Sequence, residues 1–301
     1  MIWFILAIAS YLLSATVRII DKFLLSSRVR NPLTYAFYGA TLTSFALLLW
    51  PFDFAFLSLQ TTILAIISGI CFFAAIYFLY AAMAKGETSR VISLIGGISP
   101  LIILVLSYFI LRERLPTHWV IAFVSLILGS FILARGNNSK SSEFSINKKF
   151  PLYSICAAIF FALMFFTSKL VFMESSFLNG FIWLRVGTIL SVFFVMLFPS
   201  ARKSIFESPL NVSDRISLAF ISNKALSALA FFLLNFSISR GSVTVINALQ
   251  GVEYVFVFLL ALIFSFLKPE VLKESFTAEA TLQKIFGIAL VSIGIAILLV
   301  F

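Results

Sequence analysis

Apolar residues come in long runs along this chain, and short polar stretches punctuate them. The runs fall at about residues 2–23, 33–50, 61–82, 89–111, 118–134, 151–172, 179–198, 216–238, 241–267 and 283–301. A helix rising ~1.5 Å per residue needs about 20 apolar residues to cross the ~30 Å hydrocarbon of a bilayer. The pattern therefore predicts an all-α integral membrane protein with ten transmembrane helices. The connections are short except Arg135–Phe150, Ser200–Arg215 and Lys268–Lys284, and none could hold a soluble domain. The first run starts at Ile2 with no basic stretch before it and no small-residue cleavage site after it. It is expected to be a retained span rather than a signal peptide.

The halves of the chain resemble each other. The polar stretch RGNNSKSSEFSINKKF at 135–150 reads as a linker between a first five-span unit at 1–134 and a second at 151–301. SATVRIIDKFLL at 14–25 parallels FALMFFTSKLVF at 161–172, which sets Lys22 opposite Lys169. KGETSRVISLIGG at 85–97 parallels RGSVTVINALQG at 240–251 with one gap, and LGSFIL at 128–133 parallels IGIAIL at 293–298. An odd number of spans per unit makes the two units inverted repeats in the membrane, an arrangement common among secondary transporters.

Composition excludes several functions. The chain is 61% hydrophobic and 11% charged, with a mean hydropathy of +1.11, whereas soluble domains carry about 25% charged residues. The net charge of +10 does not point to nucleic acid, because Lys and Arg lie between the apolar runs as topology signals do. They gather after odd-numbered runs (Lys85, Arg90, Lys148, Lys149, Arg202, Lys203), while Arg112, Arg114 and Arg240 follow even-numbered ones. The positive-inside rule then places both termini outside. Cys71 and Cys156 lie within apolar runs and His118 is the sole histidine, so no disulfide framework, metal site or nucleophile–His pair can be assembled. No Gly-rich phosphate loop is present. Neither an enzyme nor a metal or organic cofactor is expected.

Polar residues inside the apolar runs are the candidate site. The ninth run, Gly241–Leu267, reads as one spanning helix with Asn247, Gln250 and Glu253 on one side, and Glu253 is expected near the membrane midplane. Ionisable groups at that depth face a partner or a wet cavity. The eighth run offers Lys224 with Asn223 adjacent, and the seventh offers Arg185, Thr188 and Ser191. Summed helix rises put Lys224 and Glu253 at one level, so they are expected to face each other, and Glu253 is the candidate for proton coupling. Arg18, Lys22, Lys169 and Arg185 suit either a cavity wall or snorkelling to the interface. Asp21 could pair with Arg18 three residues earlier. Asn247 and Gln250 could also serve as interhelical hydrogen-bond glue. Gly96, Gly97 and Pro100 interrupt the fourth run and make a candidate hinge. Runs five and ten lack internal charges, which predicts a cavity among runs one to four and six to nine.

The five-span halves, the Pro in the fourth span, the Leu111-Arg112-Glu113-Arg114-Leu115 sequence that follows it and the LGS-type fifth span resemble the drug/metabolite transporter superfamily, in particular its EamA-type members. Glu253 matches the Glu of a Glu-Pro pair in their ninth span, with Tyr254 replacing the Pro. Lys268-Pro269-Glu270 stands where Leu-Gly-Glu would be expected. The resemblance implies a ten-helix secondary transporter in the cell membrane that works by alternating access, with export of an amino acid or related metabolite as the leading substrate. The basic excess among the candidate residues favours a solute bearing a carboxylate or phosphate. A lipid-linked sugar flippase on the same fold and a non-transporting structural or regulatory membrane protein are the alternatives. The expected partners are a small-molecule substrate and membrane lipids, not nucleic acid, with monomer and homodimer both open.

Overall fold

The computed structural model describes residues 2–27, 31–86, 88–113, 116–134, 150–207, 214–267 and 278–300. The linker at 135–149, Arg114-Leu115 and Lys268-Pro269-Glu270 lie outside the described residues. Twelve α-helices are described. They are α1 (Ile2–Ser27), α2 (Pro32–Thr43, extended by a tighter turn over Ser44–Leu49), α3 (Leu59–Lys85) and α4 (Thr88–Leu106, extended by a π-turn over Ser107–Leu111). Next come α5 (Thr117–Ala134), α6 (Phe150–Glu174), α7 (Phe177–Leu197) and α8 (Pro199–Glu207). The chain continues through α9 (Asp214–Arg240), α10 (Val243–Ala248), α11 (Gly251–Leu267) and α12 (Ala278–Val300).

Among the described residues seven of these segments are long and apolar enough to cross a bilayer, and three further apolar stretches, Thr117–Gly129, Val243–Val257 and Ile285–Gly294, are shorter. The described residues are helical apart from short connections, and the chain is an integral membrane protein. Local chemistry sets the starts of the helices. Asn31 caps α2 by accepting from Leu33 N at 2.9 Å with Pro32 in the first turn, and Ser58, Ser176 and Ser242 cap α3, α7 and α10.

Two antiparallel helix pairs form the frame. Along α3 and α6, Thr61 donates to Glu174 at 2.7 Å, Ser68 meets Ser168 at 2.9 Å, and Phe78 stacks on Phe160 at 5.7 Å. Along α1 and α9, Gly241 packs on Trp3, Ser10 donates to Ala230 O at 2.6 Å, and Asp21 meets Asn223 at 2.7 Å. Lipid tails give no hydrophobic drive for helix association, so close packing needs small residues at the crossings. A Cβ on Gly69 of α3 would stand 2.3 Å from the backbone N of Thr188, and one on Gly187 of α7 would stand 2.7 Å from Ile66 Cα. Gly129 and Gly294 likewise bring α5 against α12, whose outer faces, with Val124, Leu128, Phe286 and Ile293, are exposed to lipid.

The ninth apolar run is not one helix. It breaks at Leu249–Gln250, where the backbone N–H groups of Gln250, Val252 and Glu253 reach carbonyls only three residues back. Asn247 turns its side-chain amide onto Val243 O at 2.9 Å, and Tyr11 of α1 donates to Ile246 O at 2.8 Å. Polar side chains compete with the helix ladder in this way, and the Tyr11 hydroxyl satisfies a carbonyl near the break. Glu253 consequently sits in the first turn of α11, not deep inside a continuous helix. In the fourth run α4 stays helical through Gly96, Gly97 and Pro100 and leaves α-geometry only at Ser107.

Candidate functional site

A cavity of about 330 Å³ lies between α1, α2, α3, α6, α7 and α9 and the start of α11, and its wall includes Arg18, Arg185, Lys224, Gln250 and Glu253. The volume is at the lower end of the ~300–1,000 Å³ usual for small-ligand pockets. Phenylalanines from α3, α6, α7 and α9 make up much of the rest of the wall.

Four of the five ionised groups in and behind this wall form two ion pairs. Asp21 Oδ1 accepts from Lys224 Nζ at 2.8 Å, from Asn223 Nδ2 at 2.7 Å and from the Tyr35 hydroxyl at 2.5 Å. Lys224 also donates to the Tyr80 hydroxyl at 2.9 Å and lies 4.3 Å from the centroid of the Tyr35 ring. Asp21 is 0% exposed, a depth at which a carboxylate needs this many donors. The second pair joins Arg18 Nε to Glu253 Oε1 at 3.1 Å. Glu253 gains further from its place at the N-terminus of α11, where the helix macrodipole favours a negative charge.

The expected Lys224–Glu253 pair is therefore not formed. Both residues line one cavity, but rotation about the helix axes decides the partner. Asp21 of α1 reaches Lys224 first, and Arg18, one turn earlier on the same helix, takes Glu253. The local Arg18–Asp21 pair gives way to these two for the same reason.

Arg185 has no carboxylate partner among the described residues. Its guanidinium lies 4.8 Å, 5.0 Å and 4.6 Å from the ring centroids of Phe72, Phe181 and Phe231, three faces that attract a cation. It is 2% exposed, and its Nε and Nη1 find no hydrogen-bond acceptor.

The remaining candidates lie away from the cavity. Lys22 Nζ donates to the carbonyls of Met83 and Gly86 at 2.5 and 2.7 Å, at the C-terminal end of α3. Lys169 Nζ donates to the carbonyls of Ile238 and Gly241 at 3.1 and 2.9 Å, at the C-terminal end of α9. Both satisfy orphan carbonyls at a negative helix end. Asn247 is buried in the break below the cavity. Gly96 makes room for the Tyr254 side chain, since a Cβ there would fall 0.8 Å from its hydroxyl oxygen. Glu113, just past the end of α4, accepts from Ser242 and, at 2.8 Å, from Thr244, tying α4 to the start of α10.

Sequence reasoning missed Tyr35 and Tyr80 and undervalued Asp21. Asp21 was legible as the lone acid of the first run, but an adjacent Arg18 offered a local explanation for it. Among the described residues no group of His, Cys, Asp and Glu side chains could hold a metal ion.

Residues 1–135 match the model of the EamA-like transporter family, which belongs to the drug/metabolite transporter superfamily. A solved structure titled only "Crystal structure of protein" superimposes with a TM-score of 0.66 at 16% identity, over 97% of this chain and 94% of that one. At that identity the likeness speaks for the fold alone. No curated protein matches the chain.

Proposed function

We propose that the chain is a secondary transporter, built as two inverted five-helix repeats, that moves a small metabolite carrying a negative group by alternating access. The family match supplies the transporter class over the first 135 residues. The observation that carries the reading over the whole chain is the pairing of Lys22 with Lys169. Each lysine sits near the end of the first helix of its half, and each donates to two carbonyls at the C-terminus of the third long helix of that half. The accepting residues also correspond, since Met83 and Ile238 each precede a helix-ending glycine by three. The two sites lie at opposite ends of α1, with Gly241 against Trp3 and Gly86 bonded to Lys22. Nineteen residues separate Trp3 from Lys22, or ~28 Å along a helix. One construction used twice, upside down, supports inverted repeats, and exchange of conformations between such repeats opens a central cavity to each side in turn.

The test needs no knowledge of the substrate. With Cys71 and Cys156 replaced by Ala, Ser227→Cys on the cavity wall is treated with a membrane-impermeant maleimide from either face of sealed vesicles. Alternating access makes the thiol reachable from both faces. Labelling from one face only would reject the transporter reading and favour a structural role.

A further inference from the structure

We infer that the cavity selects a monocarboxylate with an apolar body and no ammonium group, so that its substrate is a net monoanion rather than a zwitterionic amino acid. The inference rests on the transporter reading and specifies its substrate class. The charges of the wall support it. Lys224 is held by Asp21 and Arg18 by Glu253, which leaves the Arg185 guanidinium as the wall charge without a counter-charge among the described residues. A single unpaired cation in a low-dielectric site is balanced by one negative charge. A phosphate ester near neutral pH would bring about −1.5 to −2 and overshoot that balance.

An α-ammonium has nowhere to go. The two carboxylates near the cavity are 0% and 2% exposed, and each already accepts from a cation of its own. Seating an ammonium on Glu253 would release Arg18, and seating it on Asp21 would release Lys224, so a zwitterion strands one cation for each one it satisfies. Around Arg185 the wall is phenyl rather than polar. Phe72, Phe181 and Phe231 hold the guanidinium, and Phe161, Phe165 and Ile76 continue the apolar surface where the rest of the solute would lie. The planar guanidinium is matched to a carboxylate, and the surrounding rings strengthen that contact by keeping water from it.

Full-length purified protein and four probes of similar size test this: 3-phenylpropanoate, its neutral amide, L-phenylalanine and phenyl phosphate. Equilibrium dialysis at neutral pH should give 3-phenylpropanoate an affinity at least ~10-fold above each of the others, because every other probe leaves a charge uncompensated in the site. Arg185→Gln should bring acid and amide to about equal affinity, and Arg185→Lys should restore the preference for the acid. Equal or tighter binding of L-phenylalanine or phenyl phosphate would overturn the inference, as would an unchanged acid-to-amide ratio in Arg185→Gln. Should that variant fail to fold, the four-probe ranking of the unaltered protein decides alone. Absence of binding by all four probes also overturns it, while two-sided labelling at Ser227→Cys still judges the transporter reading separately.

Discussion

At the crossing of α3 with α6 and α7 the touching groups are Ser68, Ser168, Gly69 and Gly187, all small and uncharged, and the backbones approach until no Cβ would fit. At the crossing of α9 with α1 and α2 the corresponding contacts are Asn223, Asp21, Lys224 and Gly39. There a Cβ on Gly39 would lie 3.6 Å from Lys224 Cε, an ordinary van der Waals contact. If the halves are repeats, aligned at Gly86 and Gly241, Lys224 occupies the place of Gly69. One crossing is shut by small residues, and the other is held apart by a lysine that needs an acid, an amide and two tyrosines around it. The cavity lies on the side of the lysine. The charge that reads as a binding residue in the sequence is thus also the spacer that makes room for binding.

The largest difference between the crossings should come from breaking the buried pair. Lys224→Met strands Asp21 at 0% exposure and Asp21→Asn strands Lys224 at 6%, a loss of roughly 3–5 kcal/mol each, whereas the double substitution should cost less than either. Thermal unfolding and folded yield measure this. Lys224→Met with Glu253→Gln should show no such rescue, since these two residues have different partners. Rescue by Glu253→Gln, and not by Asp21→Asn, would restore the pairing that depth along the sequence suggests.

Glycine substitutions come next, and here the crossings should differ in the size of the loss. Gly187→Ala drives a methyl into the backbone of α3 and should destabilise by about 1–3 kcal/mol. Gly39→Ala meets only the flexible end of Lys224 and should leave stability within about 0.5 kcal/mol. If α2 closes on α9 in the other state, Gly39→Val should slow two-sided labelling at Ser227→Cys while the protein stays folded. Equal loss of stability at Gly39 and Gly187 would mean that the two crossings are equally tight.

Much of this was readable in the chain. Length and apolarity of the runs point to spanning helices, and seven long enough to cross a bilayer are found among the described residues. Lys22 and Lys169, set opposite each other by their neighbours in the sequence, each donate to carbonyls at a helix end, and Arg18, Arg185, Lys224, Gln250 and Glu253 do share one cavity. Partners were not readable. Asp21 and Glu253 choose between nearby cations by helix rotation, to which periodicity along one helix is blind. The break at Leu249–Gln250 was hidden because no Pro or paired Gly marks it; the signal was Asn247 followed by Gly251, weaker than the Gly96-Gly97-Pro100 cluster that does not break α4.

The smallest effect concerns the hydroxyls of the tight crossing. Ser68 Oγ lies 3.0 Å from Met164 O and 2.9 Å from Ser168 Oγ, and Ser168 Oγ donates to Met164 O at 2.7 Å. A buried neutral hydrogen bond contributes about 0.5–1.5 kcal/mol, so Ser68→Ala should lower stability only within that range. The consequence for conformation is larger than that for folding. If the α3–α6 crossing must loosen when the cavity opens to the other side, about 1 kcal/mol taken from the closed crossing multiplies the population of the other state roughly fivefold. The maleimide rate at Ser227→Cys should then rise from one face and fall or hold from the other. Ser68→Ala has no counterpart on the α1–α9 side, because Asn223 there is tied to the charged Asp21. Equal acceleration from both faces would mean that Ser68 only loosens the bundle, and the tight crossing would then be packing rather than a gate.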